Sequence, residues 1–156
     1  MTDQTRREFC AQACQLASVA GLATLLEACG GGGGGNGTLP SDVPSLPTVS
    51  GNAANGVVSV AVDATSPLAA VGSAALVQSS SGLFLVAHTG QDTFTALTAT
   101  CTHEACTIIG FTGSTYVCPC HGSRFSTSGG VQNGPATRSL RSFPTSVASG
   151  VLQITA

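Results

Sequence analysis

The residues able to do chemistry are concentrated in two short stretches, Cys101-Thr102-His103-Glu104-Ala105-Cys106 and Cys118-Pro119-Cys120-His121-Gly122-Ser123. Each stretch offers one Cys and one His as metal ligands, Cys101 with His103 and Cys118 with His121. Each also carries a further cysteine, Cys106 and Cys120. Thiolate and imidazole pairs on two adjacent loops suit either one tetrahedral zinc ion or a 2Fe–2S cluster whose two irons are ligated differently. The Cys-x-His spacing argues against zinc, which usually takes ligands spaced two to four (Cys) or three to five (His) residues apart. The natural grouping is two cysteines on one iron and two histidines on the other, with one ligand of each kind from each loop.

The pair of boxes resembles the cluster-binding motifs of Rieske iron–sulfur proteins, of the type found in cytochrome bc-type complexes and arsenite oxidase small subunits. The resemblance covers roughly the C-terminal two-thirds of the chain. It implies that Cys101 and Cys118 hold a buried iron and His103 and His121 an outer one. It also implies a Cys106–Cys120 disulfide tying the loops together, a Ser123 hydroxyl bonded to a cluster sulfide, and a third loop at Gly134-Pro135-Ala136 covering the cluster. Two positions depart from the family pattern. Phe125 stands where high-potential relatives commonly have a Tyr donor to a ligand sulfur. Glu104 stands where quinol-oxidising relatives usually carry an apolar residue.

The function so implied is that of a one-electron carrier, exported and tethered to a membrane, acting as subunit or partner of a respiratory oxidoreductase. Its redox partner would be a c-type cytochrome, a quinol-oxidising complex or the large subunit of a molybdenum enzyme. A Rieske subunit of a quinol-oxidising cytochrome bc-type complex is the second reading. Glu104 counts against it, because a carboxylate loses hydration on entering a quinone pocket. A structural zinc-binding module is a third. An autonomous oxygenase would need a second iron held by two His and a carboxylate, and no His, Asp or Glu follows His121. No catalytic site beyond the cluster is expected.

Loops of this kind need a rigid frame. Apolar or alternating runs at Val57–Val62, Ala74–Gln78, Leu83–His88, Thr93–Ala99, Thr115–Cys118, Ser142–Val147 and Val151–Ile154 are separated by Gly, Ser and Asn clusters. Such spacing predicts an all-β fold over residues 51–156. The resemblance makes it a Rieske-type antiparallel β-sandwich or barrel with a small cluster-binding subdomain. Ser79-Ser80-Ser81-Gly82 and Ser149-Gly150 read as hairpin turns. His88, at the end of a strand, is expected at the surface without a role. This region has no Lys, and its charges are Asp63, Asp92, Glu104, Arg124, Arg138 and Arg141. A surface so sparsely charged offers no footprint for nucleic acid.

The N-terminal part reads as an address and a spacer. Thr5-Arg6-Arg7-Glu8-Phe9 followed by a modestly apolar run to Leu26 is similar to a twin-arginine export signal, covering residues 1–29. A folded iron–sulfur protein benefits from that route, which places it at the periplasmic face of a bacterial cytoplasmic membrane. Leu26-Glu27-Ala28-Cys29-Gly30 resembles a lipoprotein cleavage box, making Cys29 a lipidation candidate. An uncleaved anchor and a released soluble carrier are the alternatives. Residues 30–50, with an unbroken run Gly30–Gly35 and prolines at 40, 44 and 47, are expected to be a flexible linker.

Overall fold

The computed structural model describes residues 37–156. The expectations for the export signal, for Cys29 and for the glycine run lie outside them. Among the described residues no helix is long and apolar enough to cross a membrane.

Among the described residues, thirteen short strands form three sheets. The central sheet joins β1 (Thr48–Ser50), β4 (Ala74–Ser79), β5 (Gly82–Gly90), β6 (Thr93–Thr98) and β11 (Ser142–Phe143), in the order β1-β4-β5-β6-β11. A second sheet has the order β12-β13-β3-β2, from β2 (Asn52–Ala54), β3 (Val57–Ala61), β12 (Thr145–Ala148) and β13 (Val151–Thr155). The third is β10-β9-β8-β7, from β7 (Gly110–Phe111), β8 (Thr115–Val117), β9 (Arg124–Ser126) and β10 (Val131–Asn133). All pairings are antiparallel except β1 with β4.

The central strands are apolar without alternation because both of their faces are covered. Side chains of successive residues point to opposite faces. Leu76, Leu85, Ala87 and Leu97 therefore pack with Tyr116, Phe125, Cys101 and Cys118 of the metal-box side. Ala75, Val77, Phe84, Val86 and Ala96 pack instead with Val58, Val60, Leu152 and Ile154 of β3 and β13. The described residues thus form two cores divided by one sheet, of which the first packs against the boxes.

Turn chemistry fixes the register of the β2–β3–β13–β12 sheet. Both Asn55-Gly56 and Ser149-Gly150 have positive φ at each residue (51° and 77°, 51° and 74°). That is the two-residue type I′ geometry whose twist matches the flanking strands. The run Ser142–Val147, read as one strand, is two. Pro144 has no N–H to give a ladder, and the chain leaves the central sheet there and joins the second one.

The spacer expected over residues 30–50 ends earlier than the composition suggests. Val43 and Leu46 are buried, and β1 pairs with β4. Leu46 N–H donates to Ile109 O at 2.7 Å and Phe111 N–H to Pro44 O at 3.0 Å, so residues 44–46 run along the open edge of β7. Proline suits such an edge position, where its missing N–H faces away from the sheet. The proline-rich half is therefore part of the folded domain, held by two apolar side chains that the polar composition concealed.

His88 is also placed differently from expectation. It is 8% exposed, its ring stacks on Phe94 at 4.2 Å, and its Nδ1 donates to the Leu68 carbonyl at 2.9 Å. It is a core residue of the half away from the boxes.

Candidate metal centre

Both boxes are loops closed by pairing at their bases. Thr100 bridges Thr107, Ile108 N–H donates to Ala99 O at 2.8 Å, and Cys101 N–H donates to Cys106 O at 2.9 Å. This closes the first box directly after β6. In the second box, which β8 feeds and β9 drains, Cys118 N–H donates to Ser123 O at 2.9 Å and Gly122 N–H to Cys118 O at 3.1 Å. Gly122 has φ +72°, a left-handed turn that a side chain would strain. Cys106 and Cys120 form a disulfide, S–S 2.03 Å, that joins the two loops.

The four remaining Cys and His side chains fall into two layers. Cys101 and Cys118 are free thiols, 4% and 2% exposed, lying side by side at the top of the core. Burial pushes the Cys118 thiol up, and the neighbouring Cys101 adds to this. The backbone N–H groups of Cys120 and His121 beside it pull the other way. A thiol raised by burial is a poor nucleophile. A metal ion bound there would deprotonate the thiols outright, so their burial is compatible with ligation. His103 and His121 lie at the surface, ring centroids 5.0 Å apart and nearly perpendicular at 86°.

A third loop closes over this arrangement from one side. It follows β10, contains the cis peptide Gly134-Pro135, and is fastened to each box by one hydroxyl. Ala136 N–H donates to Ser123 Oγ at 3.0 Å, and Thr102 Oγ donates to the Arg138 carbonyl at 2.6 Å. Ser123 is fully buried, and this bond uses one of its acceptor sites while leaving its hydroxyl proton free to donate. Thr102 escaped notice in the sequence. Its partner is a carbonyl 36 residues away, which no local pattern announces.

Glu104 sits at the exposed tip, its Oε2 3.8 Å from His121 Nδ1, with 63% of its side chain exposed. The ligand atoms of His103, Glu104 and His121 lie within 4.8 Å of one another, as would suit a single metal ion. That trio leaves the two buried thiols directly beneath the boxes without a role. Two buried sulfurs and two surface imidazoles together suit a binuclear cluster with one inner and one outer iron.

Comparison with known proteins points the same way. The family model described as the Rieske [2Fe-2S] domain matches residues 59–144. The cytochrome b6-f complex iron-sulfur subunit of Prochlorococcus marinus strain NATL1A is 40% identical over 75 residues, 45% of this chain and 42% of the relative. The same subunit from strain AS9601 is 47% identical over 45 residues, 28% of this chain and 25% of the relative. The chain thus matches less than half the length of these curated relatives. Among solved structures, the cyanobacterial plasma membrane Rieske protein PetC3 of Synechocystis PCC 6803 superposes with a TM-score of 0.53 at 31% identity, over 62% of this chain and 99% of that one. A complex of reduced oxygenase and oxidized ferredoxin in carbazole 1,9a-dioxygenase gives 0.50 at 26%, over 62% and 92%. The donor layers fit the family's cofactor, and the chain belongs to the Rieske [2Fe-2S] domain family.

Proposed function

We propose that this Rieske protein is a one-electron carrier that works outside the cytoplasm, tethered to a membrane, in the service of a respiratory oxidoreductase. Cys101 and Cys118 hold the inner iron, and His103 and His121 hold the outer one. A 2Fe–2S cluster so ligated supplies a one-electron couple, in a range of about −150 to +300 mV. The single observation that carries the reading is the layering, two buried free thiols beneath two exposed imidazoles. The thiols keep the sulfur side dry, and the imidazoles present the surface at which a partner docks. Ser123 has a buried hydroxyl proton to give to the cluster side, and Cys106–Cys120 keeps the boxes in register.

Export by the twin-arginine route and attachment through Cys29 rest on the sequence of residues 1–29. Glu104, exposed beside His121, favours a basic or well-hydrated partner such as a c-type cytochrome or a molybdenum-enzyme large subunit. The likeness to cytochrome b6-f iron-sulfur subunits supports a second reading, service in a quinol-oxidising complex.

Iron and sulfide analysis with EPR of protein matured in its own host tests the centre. Two irons, two sulfides and a signal of low average g on reduction are expected, and zinc in place of iron overturns the assignment. Separating the two partner readings takes the Glu104→Leu variant. Slower electron delivery to a basic cytochrome supports the first, and faster reduction by quinol supports the second.

A further inference from the structure

The segment before β1 does more than fill an edge. Leu39 and Val43 lie over Gly110 on β7, so close that a Cβ there would stand 2.6 Å from Leu39 Cδ2 and 2.8 Å from Val43 Cγ1. With residues 44–46 paired to 109–111, the segment is a strap fastened along the sheet that carries the second box. Its first described residue, Gly37, reaches that box. A Cβ on Gly37 would overlap the Pro119 carbonyl oxygen and the N and Cα of Cys120. The approach is backbone against backbone, and only glycine permits it.

The peptide that Gly37 backs is the one joining Pro119 to Cys120; burial pushes the Cys118 thiol up, and the Cys120 N–H on this peptide pulls it down. A donor to a ligand sulfur draws electron density from it and favours the reduced cluster, and hydrogen bonds to the sulfurs are among the determinants of potential. We propose that Gly37 is a positioning residue for the metal centre: packed against the Pro119–Cys120 peptide, it holds the Cys120 N–H on the Cys118 sulfur and so raises the reduction potential. The N-terminal strap thereby reports into the centre, although it lies outside the matched family region of residues 59–144. The proposal rests on Cys118 being a cluster ligand.

Redox titration and pulsed EPR of the full chain carrying Gly37→Ala or Gly37→Val test it, beside Leu39→Ala, which loosens the strap without forcing a methyl into the peptide. The midpoint should fall in both Gly37 variants, further for Val, by up to about tenfold in the reduction equilibrium, which is 59 mV for one electron. The coupling of an exchangeable backbone proton to the reduced cluster should weaken in step, and Leu39→Ala should shift both in the same direction by less. If Gly37→Val retains no cluster, the Ala variant decides. Unmoved potential and proton coupling in the Gly37 variants that hold the cluster overturn the role of Gly37. Absence of a 2Fe–2S signal in the unaltered protein overturns instead the ligand reading beneath it.

Discussion

The two halves of this domain are stabilised in different ways. In the half away from the boxes, β3 pairs with β13 over five residues and Val58, Val60, Leu152 and Ile154 are buried to within 1%. Its turns are two-residue hairpins, and its packed side chains are almost all aliphatic or aromatic. The half that carries the boxes has strands of only two or three residues, too short to be stable alone. It substitutes cross-links for length: a disulfide between boxes, two hydroxyl bonds to the third loop, and a strap along β7. One half holds itself by burying apolar area. The other buries apolar side chains as well, but it also places two thiols and a serine in its interior and adds ties across its loops.

The comparison can be broken most sharply at the ligands. Cys118→Ser should abolish the cluster, read as loss of iron and of the EPR signal, while circular dichroism retains the β signature of the far half. Global unfolding in that variant would show that the two halves are one cooperative unit. Leu152→Ala probes the opposite half. It should lower stability by about 2–5 kcal/mol, as for other buried Leu truncations, and leave the midpoint potential where it was. Denaturant titration and redox titration on the same sample check both arms.

Replacing Cys106 and Cys120 by Ala comes next. The loop they close has a sequence separation of 14. Removing such a cross-link typically costs about 2–4 kcal/mol, and the loss should appear as faster cluster release rather than as unfolding of the far half. Finer still are the hydroxyl ties. Ser123→Ala leaves the buried Ala136 N–H without its acceptor, at about 1–3 kcal/mol, and should also lower the potential by removing a donor. Thr102→Val should cost about 1 kcal/mol and leave the potential nearer to that of the parent. Cluster lifetime and redox titration together distinguish the two.

The smallest effect is expected at Phe125, fully buried in the same core as Cys101 and Cys118. Phe125→Tyr adds a donor on the sulfur side, and an upward shift of some tens of millivolts follows if the hydroxyl reaches a sulfur, since about 1.4 kcal/mol corresponds to 59 mV. No shift with an intact EPR signal would show that the ring serves packing alone.

The sequence by itself singled out the candidate centre. Cys101, His103, Cys118 and His121 announce themselves because a metal site is written in residue types at short spacings, and the long strands because burial is written in apolar runs. Hairpins at Ser79–Gly82 and Ser149-Gly150 were legible for the same local reason, the positive φ or tight turn that Gly permits. What only the tertiary structure decided are contacts made by ordinary residues over long separations. Thr102 acquires its role from a carbonyl 36 residues away, and His88 is buried because the Leu68 loop covers it. The proline-rich segment belongs to the domain because β7 offers an open edge and a glycine at position 110 to receive it. Backbone carbonyls and bare edges have no letter in the sequence, so the partners they select become visible only once the chain has folded around them.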